Sequence, residues 1–190
     1  MQTKMLILLS ASALALAGCG QKTETANAEA NAQAEANAAA ANAAVEAAAP
    51  MTAQGFANTA AASDRFEVES SQLAAVGSQS ASIKAFAAQM VTAHTASTAK
   101  LKAAAAGLTP PVTPDDTLSA QQQRVLDELK TKAGPDFDGA YAAAQVNGHQ
   151  AALDAMNAYA AGGDNATLKD LAKGMIPTVA AHLNMAKGLK

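Results

Sequence analysis

Aromatic side chains are scarce in this chain of 190 residues, which has four phenylalanines, two tyrosines and no tryptophan. Because β-sheets are built largely from aromatic and β-branched residues, this composition argues against a sandwich or a barrel. Half of the residues are apolar, but 54 of them are alanines. Alanine has the highest helix propensity and lets helices approach one another closely. The composition therefore predicts an all-α fold with a thin, tightly packed core.

An excess of basic charge is also missing, since 13 Lys and Arg residues face 16 Asp and Glu residues, for a net charge of -3. Without a cationic surface we expect no binding to nucleic acid. The single cysteine, Cys19, excludes an intramolecular disulfide. The sequence has neither a glycine-rich phosphate loop nor a serine in a nucleophile elbow, so neither chemistry is indicated.

Residues 1–18 are typical of a cleaved export signal. Lys4 precedes an apolar run over residues 5–17, which is too short to span a bilayer as a permanent helix. The segment Leu16-Ala17-Gly18-Cys19 resembles the lipoprotein signal of bacteria. That resemblance implies cleavage before Cys19 and lipidation of this residue, which would anchor the chain to a membrane. The alternative is an ordinary secretory signal that ends in a cysteine by chance.

Gly20 bears on which membrane would hold this anchor. By analogy with other lipoproteins, an aspartate at this position favours retention in the inner membrane of a Gram-negative cell, and this chain has glycine there. We therefore expect a cell-envelope location, at the outer membrane and facing the periplasm.

Residues 19–53 form a low-complexity segment rich in Ala, Asn, Glu and Gln, as in the stretch NAEANAQAEAN at 27–37. Val45 is the only large apolar residue between Gly20 and Pro50, so the segment has no face to bury against a core. We interpret it as a lipidated tether that holds the folded part away from the membrane. The alternative is a segment that is under no selection beyond solubility.

Residues 54–190 carry periodic apolar patterns separated by turn signals, which predict four long helices and a short one. The predicted long helices cover residues 54–76, from Ser80 or Ser82 to 107, 136–162, and from Asp164 or Asn165 to 189. The short helix begins at Thr117 or Ser119 and ends at Gly134. This order predicts an antiparallel four-helix bundle with an extra short helix between the second and third long helices. Pro177 predicts a kink, or else a break, in the last helix.

The three histidines, His94, His149 and His182, fall on three different long helices. At 100° per residue, each lies within about 40° of several large apolar residues of its own helix. All three side chains are therefore predicted to face the interior of the bundle. The first long helix has no histidine but carries Glu67 on its apolar face, where a carboxylate costs less free energy beside imidazoles than alone.

Three imidazoles and a carboxylate are a ligand set suited to zinc, iron, copper or manganese. Glu67, His94, His149 and His182 are thus the candidate ligands of one transition-metal ion. Two alternatives remain, a buried polar cluster without metal and a set of unrelated histidines. Counted from the predicted turns, Glu67 and His94 differ by about 7 Å along the bundle axis, and His149 and His182 by about 9 Å.

Several short segments of the folded part together resemble the DUF4142 family of bacterial exported proteins, which belongs to the ferritin-like superfamily. They are Phe66-Glu67-Val68-Glu69 with Leu73-Ala74, Val91-Thr92-Ala93-His94-Thr95, Phe137-Asp138 with Tyr141 and His149, and Ile176-Pro177 with His182-Leu183. The resemblance implies a ferritin-like bundle. The family usually has an aspartate before the second-helix histidine, and this chain has Ala93 there, which removes one possible partner of the imidazole.

Ferritin-like di-iron sites use Glu-x-x-His motifs, which this chain lacks. The residues three positions before the histidines are Val91, Val146 and Val179. The resemblance therefore implies the fold without ferroxidase or iron-storage chemistry.

These observations favour a membrane-anchored envelope lipoprotein that is not an enzyme and whose bundle binds a metal ion, a small ligand or a partner. The alternative is a metal-dependent oxidoreductase that acts on peroxide or a related oxidant, by analogy with ferritin-like relatives. A third hypothesis is pH sensing, because three inward imidazoles that gain charge near pH 6 would strain the core.

Overall fold

The computed structural model of the protein describes residues 52–189, which contain five α-helices and no strand. The helices are α1 (Ala53–Gly77), α2 (Ala81–Ala106), α3 (Ala120–Lys130), α4 (Gly134–Gly162) and α5 (Ala166–Lys187). The predicted all-α fold, with a short extra helix between the second and third long helices, is thus confirmed. The predicted export signal, Cys19 and the tether up to Met51 lie outside the described residues. None of the five helices is long and apolar enough to cross a bilayer.

Four of the five helices begin at a side chain that caps the first turn. The capping residues are Thr52, Ser80, Ser119 and Asn165, and each side chain accepts a hydrogen bond from a backbone N–H three residues later. Helix α4 differs, because it begins at Gly134 and not at the predicted Asp136. Pro135 lies in its first turn, where the missing N–H breaks no helical hydrogen bond, and Gly134 adopts a φ of 57°.

Two antiparallel helix pairs form the bundle. Short turns at 78–80 and 163–165 join α1 to α2 and α4 to α5. Helices α1 and α4 are also antiparallel, because Phe56 near the start of α1 stacks on Tyr159 near the end of α4, with ring centroids 4.2 Å apart. Farther along α1, Ser71 hydrogen bonds to Tyr141 at 2.9 Å.

Helices α2 and α4 consequently run in the same direction, so the connection between them must travel back along the bundle. Residues 107–133 form this crossover and include α3, whose Leu126 packs in a cluster with Phe66 of α1 and Ala144 of α4. A four-helix bundle with one long crossover has the topology of ferritin-like folds.

Two apolar layers occupy opposite ends of the bundle. The layer near the α1–α2 turn includes Ile83, Phe86, Met90, Phe137 and Tyr141. In this layer the ring of Phe137 lies so close to Gly77 that a Cβ there would stand 2.6 Å from it. The layer at the other end includes Phe56, Met156, Tyr159, Leu168 and Val179. The three histidines lie between these layers, near the middle of α2 and α4 and in the last third of α5.

Helix α5 continues through Pro177, so the predicted alternative of a break at this residue is wrong. Pro177 has no N–H to offer the carbonyl of Lys173 one turn earlier, and a proline in a helix interior costs about 3 kcal/mol. Packing of the α5 residues on both sides of the proline, Ala172 and Val179 among them, holds the two halves of the helix in the bundle.

Candidate metal centre

The side chains of His94, His149 and His182 converge in the centre of the bundle. Their ring centroids are 5.4 to 5.6 Å apart. One ring nitrogen from each histidine lies within 4.8 Å of the other two, and the three residues are only 1 to 6% exposed. We call these three residues the histidine cluster.

The axial offsets expected from the sequence are smaller in the structure. Glu67 is 10 positions before the end of α1 at Gly77 and His94 is 13 positions after the start of α2 at Ala81, so the difference between them falls to three residues, or about 4.5 Å. His149 is slightly closer to the end of α4 than His182 is to the start of α5. This remaining difference is about one helical turn or less, roughly 4.5 Å at the helical rise, and is within the reach of two imidazole side chains.

Asp64 on α1 orients the first imidazole. Nδ1 of His94 donates a hydrogen bond to Oδ1 of Asp64 at 2.8 Å, and Oδ2 of the same carboxylate accepts one from the hydroxyl of Thr98 at 3.1 Å. The family usually has an aspartate at the position of Ala93. In this chain the carboxylate partner of His94 comes instead from Asp64, on another helix. Asp64 is a site residue that the sequence prediction missed, although it is one turn before Glu67 on the same face of α1.

The second imidazole is oriented by its own helix. Nδ1 of His149 donates a hydrogen bond to the backbone carbonyl of Gln145 at 2.8 Å. Nδ1 carries the proton in neutral His149, and also in His94 when that ring is uncharged, so Nε2 of each ring then keeps its lone pair. Both Nε2 atoms are buried without a hydrogen-bond partner, and so is Nδ1 of His182. Buried polar atoms rarely remain unpaired, so three in one cluster indicate a site for a ligand.

The environment keeps two of the three rings uncharged. Burial, together with the charge of a protonated His94, lowers the pKa of His149 to about 4 and that of His182 to about 4. Burial also opposes the charged form of His94, but the hydrogen bond to Asp64 and the charges of Glu67 and Asp64 outweigh it and raise the pKa of this ring. His149 and His182 are therefore neutral imidazoles at neutral pH, as metal ligation requires.

Glu67 lies beside the histidine cluster but on the far side of His149. Its Oε1 is 3.6 Å from Nδ1 of His149, the nitrogen that already donates to Gln145. The carboxylate is 1% exposed and neither oxygen has a hydrogen-bond partner. Burial raises the pKa of Glu67 to about 7, despite the opposing charge of His94. The structure thus brings three of the four predicted ligands to a common point and places the fourth next to them.

Gly148 makes the space that Glu67 occupies. A Cβ at this position would stand 2.6 Å from Oε1 of Glu67 and 3.4 Å from the ring of Phe66. Any side chain at position 148 would therefore displace the carboxylate of Glu67.

The geometry of the histidine cluster fits a metal ion. Three nitrogens no more than 4.8 Å apart lie within about 2.8 Å of a common centre, whereas metal–imidazole bonds are about 2.0 to 2.1 Å long. Each ring needs to move by only about 0.7 Å to reach bonding distance. Two of the rings already have the N–H to carboxylate or carbonyl hydrogen bond that orients metal-bound histidines in proteins.

Comparisons with known proteins agree with this architecture. Residues 34–189 match the model of a family described as a domain of unknown function, DUF4142. The fold is similar to a solved structure described as CopM in the Cu(II)-bound form, with a TM-score of 0.61 and 16% sequence identity, over 72% of this chain and 94% of that one. No match was found among curated proteins. At this identity the structural likeness concerns the fold alone.

Proposed function

The chain belongs to the DUF4142 family, and we propose that it is a metal-binding protein of the bacterial cell envelope which holds one transition-metal ion in the core of its bundle. The ligands proposed are His94, His149 and His182. The observation that carries the proposal is the convergence of three buried imidazoles, each of which brings one ring nitrogen within 4.8 Å of the other two and has one buried nitrogen without a hydrogen-bond partner.

Glu67 supplies negative charge next to the proposed ion. Two buried oxygens without any hydrogen-bond partner are costly in a metal-free protein, and a cation nearby would offset that cost. The sequence predicts Glu67 as a fourth ligand. Direct ligation requires its side chain to turn away from Nδ1 of His149 towards the centre of the histidine cluster.

Copper is the ion that we favour. Imidazole nitrogen suits copper, zinc, nickel and iron, and among divalent ions of the first transition row Cu²⁺ has the highest affinity for such sites. The similar structure is that of a protein in its Cu(II)-bound form, which supports this choice.

Metal analysis of the protein, purified without a histidine tag, tests the proposal. We expect one Cu²⁺ per chain after loading, with nitrogen couplings in the electron paramagnetic resonance spectrum. Replacing His94, His149 or His182 singly by Gln should weaken binding at least 100-fold. The matched control is Gln150→Ala on the exposed face of α4, and all variants carry Cys19→Ser so that the thiol does not contribute. If none of the three histidine replacements weakens copper binding, the proposal is wrong.

The second part of the proposal concerns location and rests on the sequence. The segment Leu16-Ala17-Gly18-Cys19 supports lipidation of Cys19, and Gly20 supports attachment to the outer membrane, facing the periplasm. Mass spectrometry of the N-terminal peptide tests it, with an acylated Cys19 as the expected result. In a Cys19→Ser variant the protein should leave the membrane fraction. An unmodified Cys19 at the mature N-terminus, or an uncleaved signal, would contradict it.

The oxidoreductase alternative is not favoured. Within the described residues, His94, His149 and His182 are the one group with metal-ligating geometry, and the chain lacks the Glu-x-x-His motifs of di-iron enzymes.

A further inference from the structure

A cavity of about 110 Å³ adjoins the histidine cluster, and residues from all four long helices line it. His94 and His182 form part of its wall, whereas His149 and Glu67 do not. Its wall also includes Thr59, Lys100 and Thr178, which are exposed. The cavity, which we call the access cavity, therefore connects two of the three imidazoles to the protein surface.

Small residues create this space. Ala93 of α2, Ala152 and Ala155 of α4, and Gly174 of α5 all line the cavity, where larger side chains would fill it. Gly174 is notable because a Cβ placed on it would have no atom within 4 Å. The volume is several times that needed for one water molecule but well below the roughly 300 to 1,000 Å³ of pockets for organic ligands.

The wall also offers hydrogen-bond donors and positive charge. Ser97 is one of the residues of the wall, and its hydroxyl is buried without a hydrogen-bond partner. Lys100 adds an ammonium group one turn farther along α2. Asp64 is on the wall too, but its two oxygens already accept hydrogen bonds from His94 and Thr98. A ligand of this cavity is therefore small and accepts hydrogen bonds.

Building on the proposed metal site, we propose that the access cavity binds a small inorganic anion, which completes the coordination of the ion held by the histidine cluster. Three imidazoles leave at least one coordination position open, and a ligand in the cavity lies next to His94 and His182. The hydroxyl of Ser97 would donate a hydrogen bond to the anion, which would take the place of a water molecule.

Azide titration of the Cu²⁺-loaded protein tests the proposal, followed by the azide-to-copper charge-transfer absorption. We expect saturable binding of one azide per copper. Gly174→Leu, which adds a side chain on the cavity wall, should weaken azide binding at least tenfold. The control is Gly139→Leu on α4, since Gly139 is likewise exposed and helical, with open space around a Cβ, but is not on the cavity wall.

A second variant, Ser97→Ala, tests the hydrogen bond without adding bulk. We expect azide to bind about three- to tenfold more weakly, as for the loss of one hydrogen bond. The proposed anion site is wrong if copper binds but azide does not. It is also wrong if the Gly174→Leu and Gly139→Leu variants have the same affinity for azide. Neither result contradicts the proposed metal site. If copper itself does not bind to the histidine cluster, the proposed function and the anion site fall together.

Discussion

Asp64 on α1 accepts a hydrogen bond from Nδ1 of His94 on α2, at a distance of 2.8 Å, and both side chains are buried. The hydrogen bond occupies Nδ1 of His94, so Nε2, which is buried without a partner, is the nitrogen left for the proposed ion. Asp64 thus acts on the proposed ion through His94, as carboxylates behind metal-bound histidines do.

Replacing Asp64 by Asn should lower the affinity for Cu²⁺ by about 10- to 100-fold, because the imidazole loses the negative partner that orients it and increases its basicity. A competition titration against a chelator of known affinity measures the change. Asp154→Asn, on the exposed face of α4, should leave the affinity unchanged. Equal affinities in the two variants would show that Asp64 plays no part in metal binding.

Replacing Glu67 by Gln should stabilise the metal-free protein at pH 8. Folding raises the pKa of Glu67 from 4.5 to about 7, so the ionised form destabilises the fold increasingly between pH 4.5 and 7 and by a constant amount above pH 7. The gain at pH 8 is on the order of 3 kcal/mol, and it should be much smaller at pH 5. Urea unfolding at both pH values measures it, with the exposed Glu128→Gln as control. A gain of the same size at both pH values would contradict the burial argument.

His149 and His182 should lower the stability of the metal-free protein as the pH falls from about 6.5 to about 4, an effect that the protonation of Glu67 partly offsets. His149 and His182 have folded pKa values of about 4, below the ordinary 6.5, so over this range the unfolded chain binds protons that the folded protein excludes. In the double variant with Gln at positions 149 and 182, the fall in melting temperature between pH 6.5 and 4 should be smaller. If the two proteins lose stability equally, the rings are not the cause. Since neither ring gains a proton near pH 6, these two histidines do not support the pH-sensing hypothesis.

Gly148→Ala should destabilise the protein, since the added Cβ would stand 2.6 Å from Oε1 of Glu67. Overpacking of this kind costs about 1 to 3 kcal/mol, partly offset by the higher helix propensity of alanine. Gly139→Ala on the same helix has open space and should instead gain about 0.5 to 1 kcal/mol. Chemical denaturation of the two variants gives the comparison. Similar stabilisation by both would show that the carboxylate moves aside without cost.

Much of the fold could be predicted from local sequence. Capping residues predict the starts of three helices, and proline and glycine mark the long connection, because these signals act within a few residues. The pattern places the start of α4 slightly late, since Gly134 and Pro135 are equally typical of the end of the preceding helix. The family resemblance is confirmed by the match over residues 34–189.

The site could be predicted less completely. Helical periodicity places His94, His149 and His182 on buried faces, but counting along the chain overestimates the axial offsets because it treats turn residues as if they extended the helices. Sequence alone misses Asp64 because its role depends on contact between two helices. The position of Glu67 depends on a side-chain conformation and on Gly148, whose missing side chain leaves no pattern to detect.

The ligands of the proposed ion come from α2, α4 and α5, at positions that are far apart in the chain. An ion bound there would close two long loops at once, and such closure restricts the unfolded chain much as a cross-link does. A protein with a single cysteine has no internal disulfide for this purpose. Loss of the ion would remove this cross-link, so the metal-free protein would unfold, and be cut by a protease, more readily than the metal-bound protein.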